Sequence, residues 1–129
     1  MLDYNNLVTC SREPIIKIWN LEKTQKPIEY EGHEMSVTCI APRRDKLHMI
    51  SGSRDCTTRV WDLETKKTVS KRKLARNVIT GLKWIPQELN CFIEISEDLF
   101  IRIWDIRVKP FKPTTQFKVD TNFATSCDI

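Results

Sequence analysis

The chain has 129 residues, 40% of them hydrophobic and 29% charged, a balance that fits one ordinary globular domain and excludes low-complexity disorder. It carries a net charge of +4 and only 3 glycines, and no apolar run approaches the ~20 residues needed to cross a bilayer as a helix. The five cysteines (Cys10, Cys39, Cys56, Cys91, Cys127) are odd in number, widely spaced and without a CxxC pair, which excludes a disulfide framework and a zinc cluster.

The opening stretch, MLDYNNLVTCSREP, has no basic region followed by an apolar one, so no secretory signal is expected. If Met1 is the true start, the protein is expected inside the cell, in the cytoplasm. From there the chain reads as short segments rich in β-branched residues, bounded by Gly, Pro, Asn or charged clusters. Strands are predicted near Leu7–Cys10, Ile15–Leu21, Lys26–Tyr30, Val37–Ala41, His48–Ser51, Thr57–Leu63, Thr68–Lys71, Ile79–Trp84, Cys91–Ile95, Phe100–Ile106, Thr115–Lys118 and Ala124–Asp128. No segment keeps a 3.6-residue period over three turns, so the expected fold class is all-β.

One ten-residue phrase recurs three times: SREPIIKIWN from Ser11, SRDCTTRVWD from Ser53 and SEDLFIRIWD from Ser96. Trp19, Trp61 and Trp104 are spaced by 42 and 43 residues, and an acid (Glu13, Asp55, Asp98) stands six places before each tryptophan. A recurrence at that period marks a repeat architecture. The runs Ile-Ile-Lys-Ile-Trp and Phe-Ile-Arg-Ile-Trp lack the apolar–polar alternation of a half-exposed strand, and predict strands buried on both faces. Sheets packed face to face around an axis supply such burial, which points to a stacked or radial array of four-stranded sheets.

The series Gly32-His33, Val37-Thr38, Ser51-Gly52-Ser53-Arg54-Asp55 and Val60-Trp61-Asp62, with Gly32 falling 29 residues before Trp61, resembles the WD (WD40) repeat of β-propellers. The resemblance covers nearly the whole chain and implies a partial propeller of four-stranded antiparallel blades. About three blades' worth of strands are expected: a partial blade over 1–31, complete blades over 32–72 and 75–120, and the first strand of a further blade over 121–129. A propeller typically needs 4–8 blades, so the chain is expected to be a fragment of a larger ring. Closure by self-association is the alternative.

His33, Ser51 and Asp55 together suggest nucleophilic catalysis, but neither serine in Ile50-Ser51-Gly52-Ser53-Arg54 has the Gly-x-Ser-x-Gly surroundings of a strained nucleophile. The resemblance implies a structural network instead, in which Asp55 holds the His33 ring, His33 meets the Ser51 hydroxyl, and Ser51 meets the indole N–H of Trp61. Such a chain of buried polar groups fixes one packing geometry when every member is satisfied. The first copy has Glu13 for Asp55, Asn20 for Asp62, and its histidine position falls before Met1. The third has Leu74-Ala75 in place of Gly-His and Glu94 or Ile95 in place of the serine, so its network is expected to be incomplete.

Other candidates are weaker. His48 reads as a half-exposed strand residue, Trp84 as packing, and Lys109-Pro110-Phe111-Lys112-Pro113 as an extended linker with a proline-rich docking motif as its alternative. Two histidines without clustered cysteines or carboxylates give no metal site, and no cofactor is expected. The resemblance implies a non-enzymatic platform that binds protein partners, including the missing blades of its own ring. Its binding candidates are Arg12, Arg54 and Glu97, just before each acid, with the turn residues Glu34, Met35, Arg76 and Asn77. The alternative is a basic propeller for nucleic acid or a phosphate ligand, suggested by Arg43, Arg44, Lys66, Lys67 and the run Lys71-Arg72-Lys73.

Overall fold

The computed structural model describes residues 5–23, 25–119, 122 and 124–125. These form an all-β fold, with no helix among the described residues, built from three antiparallel sheets that match a partial propeller. The first sheet holds β1 (Asn6–Cys10), β2 (Ile15–Asn20) and β3 (Ile28–Glu31). The second runs β4 (Val37–Pro42), β5 (His48–Ser53), β6 (Thr57–Asp62) and β7 (Lys67–Lys73), and the third β8 (Ile79–Trp84), β9 (Cys91–Ser96), β10 (Phe100–Asp105) and β11 (Pro113–Lys118). Each is a meander in which every strand pairs with the next, as tight turns between short strands require. The predicted strand at Ala124–Asp128 lies mostly outside the described residues.

The second sheet lies between the other two, with β1 against β4 and with β8 against both β4 and β5. Each seam has its own apolar core. Ile16, Ile18, Tyr30, Val37, Met49 and Trp61 fill the first, and Ile50, Val60, Ile79, Leu82, Trp84, Phe92, Trp104 and Phe111 dominate the second. Gly52 permits the second seam to close, because a Cβ there would collide with Ile79 and with the Cys39 sulfur. The same hydroxyl latch appears twice along the inner strands. Thr38 donates to Ile79 O at 2.5 Å, and Thr80 donates to Ala124 O at 2.8 Å, so Ala124 stands to the third sheet as Ile79 stands to the second.

Burial on both faces holds for β6, where Thr57 to Trp61 are all buried, because sheets cover it on each side. It fails for β2. Ile16 and Ile18 are buried, but Ile15 and Lys17 are half-buried and Trp19 is 39% exposed, since no described sheet packs on that face. Strand β10 is intermediate, with Arg102 and Trp104 buried and Ile101 and Ile103 only partly so. Phe111 also departs from expectation in its packing. It lies in the connection between β10 and β11, as expected, but its ring packs 4.7 Å from that of Trp104 and is 8% exposed, which removes the aromatic of the supposed docking motif into the core. Lys71, Arg72 and Lys73 do lie exposed on the edge strand β7, where charge discourages pairing with another sheet.

Candidate functional site

The turn between β5 and β6 places Asp55 beneath the segment that joins β3 to β4, where His33 enters the seam. His33 Nδ1 lies 2.9 Å from Asp55 Oδ2, its Nε2 lies 2.7 Å from Ser51 Oγ, and Trp61 Nε1 donates to the same Ser51 oxygen at 2.7 Å. One assignment of protons satisfies every group: the indole donates to Ser51, Ser51 donates to Nε2, and the Nδ1 proton goes to Asp55. That ring is neutral. Burial lowers the His33 pKa from its usual 6.5, against the pull of Asp55 and with help from Arg59 and Lys71.

Asp55 also accepts from the backbone N–H of Glu34 at 2.9 Å, and from the N–H and hydroxyl of Thr57 at 2.8 and 2.5 Å. Burial pushes its carboxyl upward, but the bonds from Thr57, Glu34 and His33 outweigh it and hold the pKa at about 2. The order Asp–His–Ser is that of a hydrolytic triad, yet the serine differs in kind. Ser51 is 0% exposed, spends its proton on His33 and receives a second hydrogen bond from Trp61, so no substrate carbonyl can reach it.

Reading the sequence alone missed the basic residue two places before each tryptophan. In the first copy Lys17 reaches Glu13 at 3.5 Å. In the third, Arg102 reaches Asp98 at 2.6 Å, Glu94 at 3.2 Å and Ser96 at 3.0 Å. In the second copy His33 occupies the acid, and the Arg59 guanidinium donates instead to Gly32 O and to Thr68 Oγ1, lying 5.6 Å from the Trp61 ring. A side chain on Gly32 would strike Arg59 and Trp61, which gives that glycine its reason. The signal was legible as a recurring cation, but its partner depended on whether a histidine competed for the acid.

The third copy is therefore rebuilt around an arginine. Glu94 is 1% exposed, accepts from Thr58 of the second sheet at 2.6 Å and from Arg102, and burial raises its pKa above the ordinary carboxylate value despite both donors. Asp98 moves the opposite way, because bonds from Arg102, Ser96 and the Arg76 N–H overcome its burial. With no serine in register, Trp104 Nε1 is buried without a hydrogen-bond partner. The residue that ends each phrase has a separate task. Asn20 accepts from the N–H groups of Glu22 and Lys23, Asp62 from those of Glu64 and Thr65, and Asp105 from that of Arg107, which explains why either an acid or an amide serves.

The predicted binding residues all fall in loops at one end of the sheets. Arg12 lies in the β1–β2 turn, Glu34 and Met35 between β3 and β4, Arg54 in the β5–β6 turn, Arg76 and Asn77 between β7 and β8, and Glu97 in the β9–β10 turn. All are exposed except Glu97, which is half-buried. Arg12, Met35 and Arg54 line one cleft between the first and second sheets, and Glu34 is drawn to Lys71 at 3.3 Å. At the opposite end Arg43 is buried and bound to Asp45, His48, Leu89 O and Asn90, so it belongs to packing rather than to a free basic surface. Trp84 is likewise buried, donating to Ala41 O at 2.8 Å. His48 is half-buried against Arg43. Cys10, Cys39, Cys56 and Cys91 are free, half-buried thiols, and Cys127 lies outside the described residues. No group of three or more His, Cys, Asp or Glu among the described residues is arranged to hold a metal, and no helix among them is long and apolar enough to cross a membrane.

Residues 24–62 match the family profile described as "WD domain, G-beta repeat". Curated relatives agree with it. The chain is 32% identical over 74 residues to eukaryotic translation initiation factor 3 subunit I of Taeniopygia guttata, covering 57% of this chain and 23% of that protein. It is 28% identical over 129 positions to the ribosome biogenesis protein WDR12 homolog of Aedes aegypti, covering 81% and 30%. It is 36% identical over 103 residues to Lissencephaly-1 homolog 1 of Paramecium tetraurelia, covering 78% and 24%. The chain thus spans less than a third of the length of these relatives. Profile and relatives together support the WD40 repeat family.

Proposed function

We propose that this chain is a segment of a WD40-repeat propeller that serves as a non-enzymatic scaffold, recognising another protein through the loop-bearing end of its blades. One contrast carries the reading. The residues that resemble a catalytic set are consumed inside a packed seam, whereas the loop-end side chains Arg12, Met35, Arg54, Arg76 and Asn77 are exposed on turns held by backbone and side-chain bonds. The WD40 fold is in general a platform for protein partners, and two of the relatives are named as a translation initiation factor subunit and a ribosome biogenesis protein. Names drawn from translation initiation and ribosome biogenesis also motivate an intracellular, cytoplasmic assignment.

The proposed units are a partial blade over 1–31, blades over 32–72 and 75–120, and the start of another over 121–129. Further blades of the same ring would cover the first sheet's open face, on which Trp19 is half-exposed. The stretch Arg76-Asn77-Val78-Ile79-Thr80, with Trp84-Ile85-Pro86 and Ser96-Glu97-Asp98, also motivates a closer kinship with WD repeat-containing protein 31.

The test is recovery of the proteins that accompany the tagged chain from cells. Met35→Glu combined with Arg76→Glu, at the loop end, should abolish a stoichiometric protein partner that Arg44→Glu, at the opposite end, retains. Equal recovery by both variants would overturn the reading, as would bound material that is nucleic acid and is lost steeply as salt rises.

A further inference from the structure

The cleft between the first and second sheets has a volume of about 500 Å³ and is lined by Ser11, Arg12, Met35, Ser36, Val37, Thr38 and Arg54. Its lining includes two arginines and no acidic residue. Neither guanidinium has a hydrogen-bond or ion-pair partner among the described residues, in contrast to Arg43, Arg59, Arg102 and Arg107, each of which is bound within the protein. Two cationic residues from turns of separate sheets line one concavity, a local excess of positive charge that attracts an anion.

The floor between them is held in place. Ser53 donates to Met35 O at 3.0 Å and to Ser36 O at 2.8 Å, the Arg54 N–H donates to Ser36 O at 3.0 Å, and the Ser36 hydroxyl reaches across to Arg12 O at 2.8 Å. The two turns are therefore tied through Ser36, so little ordering is left for binding to impose. Met35, 51% exposed, is the apolar member of the lining with a free surface. No aromatic ring lines the cleft, so it lacks the aromatic platform on which successive bases stack.

We infer that this cleft docks an acidic peptide segment, with carboxylates paired to Arg12 and Arg54 and an apolar side chain laid on Met35. The assignment deepens, and rests on, the loop end as a protein-recognition surface. Guanidinium pairs with a carboxylate through two parallel N–H···O bonds, and methionine adapts to the shape of an apolar neighbour.

The probe is a fluorescent pentapeptide with leucine between two pairs of aspartates, titrated by anisotropy against the full chain. The aspartate peptide should bind, its asparagine counterpart should not, and Arg12→Ala or Arg54→Ala should each weaken binding by about tenfold, an effect typical of charge pairing at an interface. Met35→Ser should weaken binding without altering its salt dependence, and Arg44→Ala should leave it unchanged. The inference is overturned if the asparagine peptide binds equally well, if both arginine variants bind as the parent does, or if an oligouridylate of equal charge binds more tightly. Loss of the cellular partner by the Met35→Glu, Arg76→Glu variant in the absence of peptide binding would overturn the cleft assignment alone. Failure of both overturns the recognition surface itself.

Discussion

Thr58 donates its hydroxyl proton to Glu94 across the seam between the second and third sheets, at 2.6 Å, and each residue is only 1% exposed. The bond brings a carboxylate of one sheet under the control of its neighbour. It completes a buried group in which Arg102 stands between Glu94 and Asp98.

Removing the arginine leaves two buried carboxylates facing each other. Arg102→Met is expected to destabilise the fold by about 3–5 kcal/mol, the usual cost of breaking a buried ion pair from one side. Adding Glu94→Gln should recover part of that loss. Urea unfolding followed by tryptophan fluorescence measures both, and a midpoint unmoved by Arg102→Met would contradict the ionic arrangement.

In the second sheet the cost is of another kind. Asp55→Ala strips partners from His33, Thr57 and the Glu34 N–H, and should lower stability by about 1–3 kcal/mol through unsatisfied buried groups. Thermal unfolding of the variant in the full-length protein provides the check, and unchanged stability would remove the network from the account of the fold.

Acid should act in two stages. The His33 pKa is lowered on folding, so below 6.5 the unfolded chain takes up a proton that the folded chain refuses, and stability falls as the pH drops. The Asp55 pKa is lowered from 3.8 to about 2, so its contribution is present above 3.8 and is lost as the pH falls through about 2. Denaturant titrations at a series of pH values should show a first decline below pH 6.5 and a second below 3.8. The His33 ring proton shifts should still report a neutral imidazole at pH 6.5.

Strands and sheets were legible in the sequence because alternation, β-branching and turn residues are local signals, and the recurring tryptophan gave the period. The His33–Ser51–Asp55–Trp61 set was legible as a family resemblance, since its members lie up to 28 residues apart and no local pattern joins them. The Arg102 cluster was not. Arginine on a strand normally reads as solvent-facing, and only its bonds to Glu94 and Ser96 of β9 and to Asp98 of the following turn show why it is 3% exposed. Trp19 misled in the opposite direction, because burial of an apolar strand depends on what lies beside the sheet as much as on the strand itself.

The hydroxyl latches of Thr38 and Thr80 have a bearing on how such a stack comes apart. The Thr38 latch joins the second sheet to the third through the Ile79 carbonyl, the Thr80 latch ties the third sheet to the Ala124 carbonyl, and each of the two seams between the described sheets has its own filling of apolar side chains. The two fillings use opposite faces of the second sheet and share no side chain. Damage to a latch therefore stays where it occurs, and a lengthened inner strand in one sheet shifts that joint without disturbing those on either side. An architecture joined in this way can gain or lose whole sheets over evolutionary time while every remaining joint keeps its fit.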